Sequence, residues 1–215
     1  MNGPGGLRVG LVQRLRFRQA CRRNDDTILG ALSDPVAALK SELLERRVAI
    51  VGNARALADT AHGASIDGCD LVIRINRAPM PDPRSHGTRT DWLALATTLK
   101  EERAATLRPQ RILWMSHKRK RLALWVALRS GFFLYPMAEF EALRDKLGAP
   151  PTTGLMMIDF VSRSGAESIE LFGFDFFASL SLTGRRKASQ VPHDFSAERR
   201  WVEQLAARDR RIRVN

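Results

Sequence analysis

"VAIVGNARALADTAHGASIDGCDLVIRINRAP", residues 48–79, decides the fold. An apolar run rich in β-branched residues stops at Gly52, a helical stretch follows, and a second apolar run closes on Asn76. Strand, turn, helix and strand in that order make the first half of a nucleotide-binding α/β unit. A dinucleotide site would carry Gly-x-Gly-x-x-Gly after the first strand and an Asp or Glu at the end of the second. Here the turn reads Gly-Asn-Ala-Arg-Ala-Leu and the second strand ends in Asn, so NAD is not the expected ligand.

The same alternation continues to the end of the chain. Residues 47–52, 70–76, 91–97, 111–115, 131–135 and 167–174 read as strands, and 53–61, 117–129, 137–147, 154–164 and 195–208 as helices. Apolar strands without polar alternation, separated by helices, predict a mostly parallel sheet flanked by helices on both faces. The expected class is α/β, a single Rossmann-like domain over 47–215. Ahead of it, 1–46 reads as a basic N-terminal extension with helical segments. Arg8, Arg14, Arg16, Arg18, Arg22 and Arg23 interleave there with Leu7, Leu11, Val12, Leu15 and Phe17. That pattern fits either an amphipathic helix on an anionic leaflet or a solvated, frayed segment. "SDPVAALKSELLERR" (33–47) then predicts a helix capped by Ser33 or Asp34, with Pro35 in its first turn.

Bulk properties narrow the partners. The chain has 215 residues, 44% of them hydrophobic, and a formal charge of +12. Such a field favours anionic molecules or surfaces without choosing among them. Nucleic acid is not expected, because aromatics are only 7% and no helix-turn-helix, RRM or zinc pattern occurs. Cys21 and Cys69 form neither a metal motif nor a disulfide framework, which suits a reducing compartment. The first residues lack a signal-peptide core, and the longest apolar runs fall far short of the ~20 residues of a spanning helix. The expectation is a cytoplasmic chain, free or peripheral on the inner face of the membrane.

Ligands of an open parallel sheet bind at the carboxyl ends of its strands. Gly52 and Asn53 follow the first strand, where glycine allows close approach and the next helix offers its N-terminus to phosphate. A plain strand-to-helix turn would use the same residues. Asn76 ends the second strand, where an amide can pair with ribose or a pyrimidine edge. In a second cluster, Pro151-Thr152-Thr153-Gly154 opens an apolar helix, so hydroxyls and backbone N–H groups can face an anion; an ordinary N-cap would look alike. The third, "VPHDFSAERRWVEQL" (191–205), sets His193 and Glu198 around a helix start. Imidazole suits general-base work. His62, His86 and His117 read as structural.

Taken together, the three clusters resemble the sialyltransferases of glycosyltransferase family 29. "VGN…RIN.AP" with "GTRT" at 87–90 is similar to that family's large motif, and residues 151–174 to its small motif. His193-x4-Glu198 matches the very small motif. The resemblance implies a GT-A-like variant of the Rossmann-like fold. It also implies inverting, metal-independent transfer of sialic acid, or a related acidic sugar, from a CMP-sugar to the hydroxyl of a glycan or lipid-linked glycan. No cofactor is implied beyond the donor itself. By that likeness Gly52, Asn53, Asn76, Thr152, Thr153 and Gly154 bind the donor, His193 is the general base and Glu198 orients the region. Arg89, Arg185, Arg186, Lys187 and Ser189 are candidates for the donor's phosphate and carboxylate, with Arg74 and Arg77 as further basic candidates nearby. The chain departs from animal members in lacking their disulfide, their membrane anchor and a His-rich third motif, which marks a bacterial-type relative. The alternatives are a CMP-Kdo-type transferase and a non-catalytic basic protein that binds nucleotide or nucleic acid.

Overall fold

The computed structural model describes residues 10–175 and 192–215. Among them, seven strands form one parallel sheet: β1 (Arg47–Val51), β2 (Leu71–Ile75), β3 (Trp92–Leu95), β4 (Arg111–Trp114), β5 (Phe132–Leu134), β6 (Ser168–Phe172) and β7 (Ile212–Val214). Their order is β5-β4-β3-β2-β1-β6-β7, and every neighbouring pair is parallel. From β1 the chain lays strands in one direction to β5, then crosses back to place β6 on the other side of β1. The switch point therefore lies between β1 and β6.

Helices cover both faces, as the apolar strands require. They are α1 (Leu11–Arg23), α2 (Asp26–Gly30), α3 (Val36–Leu43), α4 (Gly63–Asp67), α5 (Pro83–His86), α6 (Glu101–Leu107), α7 (Leu124–Ala127), α8 (Met137–Leu147), α9 (Thr153–Ser162) and α10 (Phe195–Arg208). Val48 and Ile50 of β1 face a core completed by α3, α8, α9 and α10. Ala49 and Val51 point the other way, to a small core with Leu57, Ile66 and Phe172. Next to that core, α1, α2, α6 and α7 cover β3, β4 and β5. The alternation of side chains along a strand produces these two layers.

Residues 10–46 do not stand apart from the sheet. Phe17, Ala20, Cys21 and Leu29 are buried in one layer, Leu39 and Leu43 in the other. Arg111, at the start of β4, pairs with both Asp34 and Glu42. The expected cap of α3 is displaced for that reason: Asp34 is engaged by Arg111, and the Ser33 hydroxyl accepts from Leu134 N–H at 2.8 Å. Pro35 occupies the cap position instead. The helix expected over 53–61 becomes a 3₁₀ turn, Arg55–Asp59, followed by α4. The one expected over 117–129 becomes a 3₁₀ turn, Arg119–Arg121, followed by α7. Strand β7 and helix α6 were not expected.

Three chain ends meet at the switch point. A Cβ on Gly52 would run into the carbonyl oxygen of Gly173, so the exits of β1 and β6 touch backbone to backbone. A Cβ on Gly154 would lie 2.6 Å from a ring carbon of Phe174, which rests on the first turn of α9. Close packing of β1, β6 and α9 is thus the structural reason for both glycines. Gly52→Ala is expected to destabilise the fold by about 1–3 kcal/mol in urea denaturation, the usual cost of overpacking. An unchanged midpoint would contradict the contact.

Candidate active site

The two asparagines brace the strand exits. Asn53 donates from Nδ2 to the carbonyl of Ile75 at 3.0 Å, tying the end of β1 to β2. Asn76 stands in the left-handed region, φ 54°, and its Oδ1 accepts from Ala96 N–H at 2.9 Å. Each amide thus uses one end on the backbone, and its other end has no partner among the described residues. The turn after β2 is held by Arg103 of α6, whose guanidinium donates to the carbonyls of Arg77 and Ala78. Ala78 is also left-handed, φ 43°, a conformation that a non-glycine residue keeps only under such constraint. Sequence reasoning missed Arg103, because nothing local marks a partner 26 residues away.

Opposite this turn, the N-terminus of α9 meets that of α10. Thr152 caps α9, its hydroxyl accepting from Leu155 N–H at 3.2 Å. The same hydroxyl donates to Glu198 Oε2 at 2.7 Å, and Thr152 N–H donates to Glu198 Oε1 at 2.6 Å. Both carboxylate oxygens are therefore engaged by one residue. Glu198 is 3% exposed, and burial pushes its carboxyl up to about 7, against the pull of the two Thr152 hydrogen bonds. The N–H groups of Thr153 and Gly154 keep no partner among the described residues, as expected of a first helical turn.

The Thr152–Glu198 contact fixes His193. Two residues before α10 begins, its Nδ1 lies 2.7 Å from the carbonyl of Pro150. A carbonyl has no proton to give, so Nδ1 donates, and the neutral ring carries its lone pair at Nε2. The ring is half-buried beside Phe195. An imidazole so oriented can accept a proton at Nε2 from a hydroxyl brought to the sheet edge. Gly52, Asn53, Asn76, Thr152, Thr153, Gly154, His193 and Glu198 thus share the carboxyl edge of the sheet around the switch point.

Arg89 does not join them. It precedes β3 at the opposite edge, where it donates to the carbonyls of Asp67, Cys69 and Asp70 and to the Asp91 carboxylate. Its place as a phosphate or carboxylate ligand is corrected to that of a clamp on the 67–91 segment, whose main-chain carbonyls occupy its guanidinium. Arg74 is 1% exposed and bonds the carbonyls of His86 and Arg89, with burial lowering it to about 10. Arg185, Arg186, Lys187 and Ser189 lie outside the described residues. His62 leans on Phe172 and His117 stacks on Phe140. His86 bonds Ser85 through Nδ1. Among the described residues, no three His, Cys, Asp or Glu side chains are grouped to hold a metal ion.

Residues 24–129 match the family model of glycosyltransferase family 29 (sialyltransferase). That stretch is 106 of the chain's 215 residues, and over it the chain is similar to this family. The chain is a glycosyltransferase. The match takes in the first cluster, and the sheet joins the second and third clusters to it. Solved sialyltransferases share the fold. A mammalian sialyltransferase in complex with Gal-β1-3GalNAc-ortho-nitrophenol superposes with a TM-score of 0.62 at 20% identity, over 94% of this chain and 84% of that one. CstII from Campylobacter jejuni, in complex with the substrate analogue CMP-3FNeuAc, gives 0.56 at 16% identity, over 79% and 81%. A comparison with curated protein sequences gave no match.

The buried carboxyl of Glu198 gives a pH test. The folded chain holds the Glu198 proton more tightly than the unfolded chain, whose carboxyl titrates near 4.5. Stability from this group is therefore full below about pH 4.5 and is lost as pH rises through 7. A shift of that size corresponds to roughly 3 kcal/mol. Glu198→Gln is expected to flatten the fall in unfolding free energy between pH 5 and pH 8 relative to the parent chain. Parallel pH profiles for the two proteins would show that Glu198 is not buried as described.

Proposed function

We propose that the chain transfers sialic acid, or a closely related acidic sugar, from its CMP-activated form to a glycan hydroxyl, inverting the anomeric centre without a metal ion. The observation that carries this reading is the orientation of His193, with Nδ1 held by Pro150 and Nε2 left basic at the edge where the strand exits meet. The acceptor hydroxyl would give its proton to Nε2 as its oxygen attacks the anomeric carbon. The CMP phosphate leaves from the opposite face of the sugar, which accounts for inversion. A single phosphate needs less charge neutralisation than a diphosphate. The N–H groups of Thr153 and Gly154 at the positive end of α9, without partners among the described residues, supply part of it.

Asn53 and Asn76 suit the nucleoside. Each has one amide end fixed by backbone, so the other end is presented in a set direction, Oδ1 from Asn53 and Nδ2 from Asn76. Preorganised groups of this kind bind without an ordering cost at the moment of binding. The complexes of the structural relatives, one with the substrate analogue CMP-3FNeuAc and one with Gal-β1-3GalNAc-ortho-nitrophenol, agree with a CMP-sugar donor and a glycan acceptor.

Isothermal calorimetry should show CMP bound in preference to UMP and GDP. His193→Ala should retain CMP binding and lose about 10²–10⁴-fold in kcat, the usual contribution of a general base. Equal binding of the three nucleotides would overturn the donor assignment. An unimpaired His193→Ala would remove the base from the mechanism.

A further inference from the structure

Helix α1 has two opposite apolar faces, and only one of them is used. Phe17, Ala20 and Cys21 point into the core over β3 and β4. Leu11, Val12 and Leu15 lie on the opposite side of the helix, 74%, 63% and 56% exposed. Around them stand Arg16, Arg18, Arg22 and Arg23, all exposed and none in an ion pair among the described residues. The helix packs against the 3₁₀ turn Arg119–Arg121, which adds Lys120 and Arg121 beside the exposed Lys118. Arg119 itself is buried: it fastens the turn to Asp26 of α2 at 2.7 Å and to the carbonyl of Tyr135. Two basic segments about a hundred residues apart in sequence are thereby locked into one surface.

We propose that this surface docks on an anionic phospholipid bilayer, Leu11, Val12 and Leu15 entering the acyl boundary and the arginines and lysines meeting the headgroup phosphates. Aliphatic side chains ringed by long cations are what an interfacial helix needs, since the stems of Arg and Lys reach outward while the apolar tip is buried. A second copy of the chain is disfavoured as the occupant, because each copy would present the same cationic ring to the other, on a molecule of charge +12. A nucleic acid would neutralise the arginines and leave the three aliphatics in water. None of the large hydrophobic side chains exposed among the described residues is an aromatic that could stack on bases.

The docking surface has an orientation. The turn Arg119–Arg121 follows β4 at the carboxyl edge of the sheet, and Arg119 is bonded to Tyr135 at the exit of β5. The carboxyl edge is also the edge that carries Asn53, Asn76 and His193. The docking surface therefore includes a turn at the same edge of the sheet as the candidate site. Resting on the proposed transferase reading, the acceptor is then a glycan whose lipid carrier sits in that same bilayer.

Sedimentation of the full chain with liposomes tests the docking apart from the chemistry. One set is pure phosphatidylcholine and the other an equimolar mixture with phosphatidylglycerol. The chain should pellet with the mixed vesicles only. Leu11→Ser combined with Leu15→Ser, and separately Arg18→Glu combined with Arg22→Glu, should each weaken that binding at least about tenfold. Calorimetric affinity for CMP should stay unchanged in both variants, so failure of the docking and failure of the donor reading are read separately. The proposal is overturned by equal binding to the two lipids, by no binding, or by parent-like binding of the leucine variant. Release of the chain from mixed vesicles by duplex DNA, or a dimer in sedimentation velocity that the leucine variant dissolves, would equally overturn it by assigning the surface to nucleic acid or to a second copy.

Discussion

The backbone contact between Gly52 and Gly173 is the constraint on which the site depends. It brings the exits of β1 and β6 together at the point where strand order reverses, and leaves Phe174 lying on the first turn of α9. Two strand ends and one helix end then converge within a few residues of Asn53 and Thr152. Buried polar groups take over where the glycines stop. Glu198 accepts two hydrogen bonds from Thr152 and so anchors the start of α10 on the cap of α9, which places His193 against Pro150. A carboxylate so buried is costly to ionise, and its near-neutral titration is the consequence of using it as a structural bolt.

Charge in this molecule is of two kinds that sequence alone does not separate. Arg74, Arg89, Arg103 and Arg211 are bonded largely to main-chain carbonyls, and Arg119 to two carbonyls and the Asp26 carboxylate, and they close turns or strand ends. Their planar fork of donors fits several carbonyls at once, which a lysine could not do. Arg16, Arg18, Arg22, Arg23, Lys118, Lys120 and Arg121 face outward and hold no ion pair among the described residues. The formal charge of +12 therefore overstates what is available for an anion at the site and understates how strongly the free charge is concentrated beside α1.

Elements with a long period and clear punctuation were legible in the sequence. α8 starts after Pro136 and ends at Gly148, and α10 starts after the Asp194 cap; both keep the expected bounds, 137–147 and 195–208. Six of the strands stood out as apolar runs, and the site's first-order geometry followed from their carboxyl ends. What did not show were features decided by partners far away in sequence. β7 has only Ile212 buried, so its three residues look like a basic tail until β6 lies beside them. The 53–61 and 117–129 segments are broken because Asn53 is drawn to β2 and Arg119 to α2 and β5. Arg89 looked like a ligand because a lone arginine in a loop carries no mark of the carbonyls waiting for it.

The claim that the nucleotide binds where β1, β6 and α9 meet is tested most directly by amide NMR of the ¹⁵N-labelled chain during titration with CMP. The expected result is saturable shifts at Asn53, at Asn76 and at Thr153 and Gly154, together with the Asn53 and Asn76 side-chain amides. Shifts confined to the Arg89 segment at the other edge of the sheet, or no shifts at saturating CMP, would contradict it.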